Sequence, residues 1–208
     1  MKVFKLLLAF CFLFVLTTNV IAKSKDGVDM PDEITVEGKK LVLNGMGTRT
    51  ATILMIPVAK VYVAGLYVEQ KSGNPDEILA GGMKQLVLQM KRNVDKKDVL
   101  KAWTEGFKKN GEYDAMKSRI DILAGWMFDT KENDTMTFTF VPGADASKGK
   151  LNVSLAPTNA PDVEPENKRN ATGGTIEGED FTKAFFKIWL GQNPPNPKLK
   201  TGLLGAAE

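Results

Sequence analysis

The 208-residue chain carries 28 lysines and arginines against 25 aspartates and glutamates, with no histidine and a single cysteine, Cys11. Without histidine there is no Ser-His or Cys-His nucleophile pair and no histidine-ligated zinc. A net charge of +3 gives no electrostatic footprint for nucleic acid, which is therefore not expected as a partner.

The first residues read as an address. Lys2 and Lys5 precede an unbroken apolar run over residues 6–16, and Val20-Ile21-Ala22 supplies a small-residue cleavage pattern. About eleven apolar residues suit a signal-peptide core and fall short of the roughly 20 that span a bilayer. The expected organisation is a signal peptide over residues 1–22 and one domain over 23–208. That domain would be periplasmic or secreted, with no transmembrane anchor after cleavage near Ala22; an uncleaved anchor is the alternative. Phe10 beside Cys11 argues against lipid attachment there, and cleavage removes the only cysteine. The exported chain then depends on a packed core rather than on disulfides.

In chain order, residues 33–42 (EITVEGKKLV) predict two short strands around a turn at 37–39, followed by a glycine-punctuated loop over 44–47. Strands are expected over 49–56 and 58–69, with Pro57 as their boundary because it cannot donate to a central ladder. Asn74-Pro75-Asp76-Glu77 reads as a cap, an N1 proline and two acids opening a short helix. Residues 85–91 alternate as a strand. The clearest helix is 95–110, with Val99, Ala102, Trp103, Gly106 and Phe107 on one face, and a second is expected over 114–128. Residues 135–141 (TMTFTFV) predict a strand with one wet face and 150–155 its hairpin partner, with a surface loop over 156–170. A last long helix opens at Glu179-Asp180 and presents Phe181, Ala184, Phe185, Ile188 and Trp189; a turn and a short terminal helix follow Pro194. Segregated strands and helices of this kind make an α+β domain, with helices on an antiparallel sheet.

Four separated runs, GMGTR, KVYVAGLYVEQ, AWTEGFKKN and GTIEGEDFTKAFFKIWLG, resemble in order the chalcone isomerase-like family, in particular its exported bacterial members. The resemblance implies an open-faced β-sandwich: a curved antiparallel sheet covered by helices on one side, with an apolar cleft between. The family includes true isomerases, plant fatty-acid-binding proteins and relatives without known catalysis, so the residues must decide. The isomerases' arginine falls on Arg49, their strand threonine on Tyr62, their helix tyrosine on Trp103 and their asparagine on Asn110. Trp103 has an indole donor and no acceptor where ring closure needs a hydroxyl, so no catalytic residue is assigned. Arg49 followed by Tyr62 instead resembles the carboxylate clamp of the fatty-acid-binding branch, a bidentate fork beside a phenolic donor.

The expected ligand is thus a fatty acid or other lipophilic carboxylate, held by Arg49, Tyr62, Trp103, Phe107 and Asn110, with no cofactor or metal. The alternatives are a partner-binding or structural envelope protein with a filled cleft and, third, an isomerase. At residue level Arg49 could instead face solvent or pair with a core acid, Trp103 and Phe107 could be plain core, and Asn110 a helix cap. Tyr62 and Tyr67 fall on opposite strand faces, so only one of them can line the cleft.

Overall fold

Alternation sets the sheet. In β6 (Lys84–Met90) every second residue is buried, as it is over most of β7 (Thr135–Val141) and β8 (Lys150–Ala156). The computed structural model describes residues 22–53, 56–159 and 164–206. It places these strands in a seven-stranded antiparallel meander with β3 (Glu33–Val36), β4 (Lys39–Ile53), β5 (Ile56–Val68) and β9 (Thr172–Glu177), ordered β3-β4-β5-β6-β7-β8-β9. The sheet is curled, and its concave side holds the main core, with Leu66, Leu86, Leu88, Phe138 and Leu151 facing the helices.

Between β5 and β6 lies α1 (Pro75–Ala80), with Asn74 capping it through the Asp76 N–H at 3.0 Å. Between β6 and β7 come α2 (Lys96–Lys109) and α3 (Tyr113–Trp126). The central helix is α4 (Glu179–Leu190); Phe181, Phe185, Ile188 and Trp189 are each at most 2% exposed, on the face that the 3.6-residue period selects. Gly106 on α2 lets the two helices close up, since a Cβ there would stand 2.8 Å from the Ile188 Cγ2. The terminal helix α5 (Pro197–Leu203) packs on β4.

Three expectations change. The glycines at 45 and 47 sit within β4, because their faces admit the α5 backbone: a Cβ on Gly45 would lie 2.1 Å from the Gly202 carbonyl oxygen. Pro57 is the second residue of β5 rather than a boundary, and the β4–β5 connection falls at 54–55, outside the described residues. A proline at a strand's beginning leaves the ladder beyond it intact. Finally, β1 (Ala22–Lys25) and β2 (Val28–Pro31) form an unforeseen hairpin. Its Val28 and Met30 join Leu41, Leu43, Met46, Val63 and Tyr67 in a second core on the convex side.

The expected signal peptide, residues 1–22 with Cys11, lies outside the described residues except for Ala22, as do residues 160–163 of the predicted surface loop. Asp134, 1% exposed, pins that loop by a bidentate pair with Arg169 and by accepting from the Thr158 N–H at 2.8 Å. Among the described residues no helix is long and apolar enough to cross a membrane.

Candidate functional site

The β4–β5 ladder sets Arg49 directly opposite Tyr62, immediately before a register shift at Thr50. A bulge at this point re-aims the strand beside the cleft. Both side chains line a cavity of about 200 Å3 between the sheet and the α2–α4 pair. Its inner wall is apolar: Leu88, Met90, Val99, Trp103, Met136 and Ile188, all at most 8% exposed. Charged and amide groups gather at the outer end, where half-buried Arg49 is joined by exposed Asp98, Glu105, Lys109 and Asn193.

Arg49 is held from one side. Its Nη1 donates to the Thr50 carbonyl and, at 2.9 Å, to the Asn196 Oδ1, which also accepts from the Thr50 N–H at 3.0 Å. Among the described residues no carboxylate pairs with it, and Nε and Nη2 have no protein partner. A half-buried guanidinium fixed in this way keeps a two-pronged donor set for an incoming anion.

Tyr62 is prepared as a donor. Burial, partly offset by the Trp189 N–H and the Arg49 charge, pushes its phenol up to about 12, so it is neutral at physiological pH. The Trp189 Nε1–H donates to the Tyr62 hydroxyl oxygen at 2.9 Å. An indole can only donate, so the phenolic proton stays available to an acceptor in the cavity. Tyr67 faces the convex side and donates to the Pro31 carbonyl at 3.0 Å, as the period of two requires.

Of the five residues singled out in the sequence, the structure brings Arg49, Tyr62 and Trp103 around one cavity and leaves Phe107 and Asn110 outside its lining. Phe107 is fully buried and packs on Phe181 and Phe185, with ring centroids 5.9 and 6.3 Å away. Asn110 is the C-cap of α2, its Nδ2 donating to the Gly106 carbonyl at 2.9 Å. Sequence reasoning missed Trp189 and Asn196 as site residues. Trp189 was legible only as a core-facing residue of α4, and Asn196 only as part of a turn; neither partner is close in sequence.

The profile of the family described as chalcone isomerase-like matches residues 22–205. The chain belongs to that family. Among solved structures, a fatty-acid binding protein of Arabidopsis thaliana superposes on this chalcone isomerase-like chain with a TM-score of 0.64 at 16% identity. The match covers 88% of this chain and 96% of the other. At that identity the likeness is one of fold, the curled seven-stranded α+β architecture. No curated protein matches by sequence.

Proposed function

We propose that this chalcone isomerase-like chain is a non-catalytic, exported protein that binds a fatty acid or similar lipophilic carboxylate. The observation that carries the reading is Arg49, without a carboxylate partner among the described residues, standing beside the neutral Tyr62 donor at the outer end of an apolar cavity. A half-buried cation of this kind is better stabilised when an anion meets it, and a carboxylate fits the bidentate fork. The fatty-acid binding named for the Arabidopsis neighbour supports the same ligand class.

Calorimetric titration of delipidated protein with octanoate and dodecanoate, and with the matching alcohols and methyl esters, tests the reading. The acids should bind better, and Arg49→Ala should weaken them roughly ten- to a hundredfold, since a charge-assisted contact contributes on the order of 1.5–3 kcal/mol. If folded protein gives no heat with any acid and none displaces a fluorescent acid, the lipid reading falls. Against catalysis stands Trp103, which offers no acceptor to hold a water near the ring-closing oxygen. No Arg49-dependent acceleration of chalcone cyclisation is therefore expected. Export rests on residues 1–22; an intact mass beginning near Lys23 would support it, and full-length protein in the membrane fraction would refute it.

A further inference from the structure

We infer that the ligand is a medium-chain acid of about eight carbons, because the cavity ends inward on a buried apolar wall and is too small for a long chain. The inference rests on the carboxylate-binding reading above. The polar groups stand at the outer end of the cavity, so a carboxylate held by Arg49 and Tyr62 sends its tail inward. There it meets Trp103, Leu88 and Met136, which are 6%, 1% and 2% exposed and form a buried apolar inner wall. Trp103 is itself fixed, packed edge-on against Phe138 and Phe185 with centroids 5.7 and 5.9 Å away. An apolar cavity of about 150 Å3 accepts one benzene ring, so the 200 Å3 here holds about eight carbon-sized atoms. The drug-sized pockets of other proteins run from about 300 to 1,000 Å3. Chain beyond that length has nowhere apolar to go.

The test is a titration of the delipidated protein with even-numbered saturated acids from hexanoate to hexadecanoate, each kept below its micelle concentration. While the cavity fills, each added methylene should tighten binding about fourfold; the gain should stop near octanoate and stay flat or reverse beyond. Trp103→Ala should move the break to longer acids, and Met136→Ala, a smaller change in the same wall, should move it by less. Affinity that keeps climbing through dodecanoate in the unaltered protein overturns the size limit and leaves the carboxylate reading standing. A break near octanoate that neither variant shifts overturns the assignment of the inner wall. Failure of every acid to bind in an Arg49-dependent way removes the underlying reading and this inference with it.

Discussion

At the scale of single residues, Arg49 and Tyr62 are each steadied by one hydrogen bond from a distant part of the chain. Asn196, the residue before α5, steadies Arg49, and Trp189 steadies Tyr62 from α4. Tyr62→Phe keeps the ring and removes one neutral donor, so acid binding should fall about fivefold, near 1 kcal/mol, with alcohol binding unchanged. Trp189→Phe leaves the Tyr62 hydroxyl in place but free to rotate, so the acid-over-alcohol preference should drop by less than in Tyr62→Phe. Matched titrations of acid and alcohol read both; a loss that is equal for the two ligands would mean that the variants had only loosened the core. The family resemblance singled out Arg49, Tyr62 and Trp103 and selected Tyr62 over Tyr67; period two said only that the two tyrosines face opposite sides of the strand. Phe107 was not separable from Trp103 by spacing, since both lie on one α2 face. What distinguishes them is that Phe181 of α4 packs against Phe107, which stands outside the cavity lining, while Trp103 lines it.

At the scale of elements, the site depends on a contact that local sequence hides. Asn-Gly-Met-Gly reads as a loop because glycines punctuate it, yet these residues lie in β4, with Gly45 and Gly47 bare so that α5 can lie on them. A Cβ on Gly45 would meet the Gly202 carbonyl oxygen at 2.1 Å and the Gly205 nitrogen at 2.7 Å, both backbone atoms that no side-chain rotation relieves. Gly45→Ala should therefore destabilise by about 3 kcal/mol and weaken acid binding as well, because displacing α5 displaces Asn196 from Arg49. Gly125, exposed near the end of α3 with nothing within 4 Å of a built Cβ, supplies the control. There alanine should gain about 0.5 kcal/mol. Thermal melts of the two variants decide the matter: equal effects would show that α5 is not seated as described. The long elements, α2, α4 and β7, were legible because each carries its own period. The β1–β2 hairpin was not, since β1 (AKSK) buries no residue and so shows no apolar alternation.

At the scale of the whole molecule, four groups shape how stability varies with pH. On the acid side burial raises the Asp134 carboxyl, but the Arg169 pair and the Lys131 and Thr158 N–H groups outweigh it and hold it below its ordinary value. Its contribution is present above the unfolded value of about 3.9 and lost as pH falls through the folded one. Asp134→Asn should cost about 2–3 kcal/mol at pH 7. On the alkaline side Lys84, 3% exposed, donates to the Gly81 carbonyl and sits 4.4 Å over the Phe140 ring. Burial, partly offset by Glu179 and Glu69, lowers its ammonium to about 8. Between there and the unfolded value of about 10.4, the unfolded chain holds a proton that the folded chain has released, so stability rises with pH, by up to about 3 kcal/mol. Above about 10 the sign reverses, because burial pushes the phenols of Tyr62 and Tyr67 up to about 12. The folded state then keeps protons that the unfolded chain has lost. Urea midpoints should accordingly climb from pH 7 to a maximum near pH 10 and then fall. In Lys84→Met the climb should vanish while the fall persists, and a climb of unchanged size in that variant would show that Lys84 is not its source.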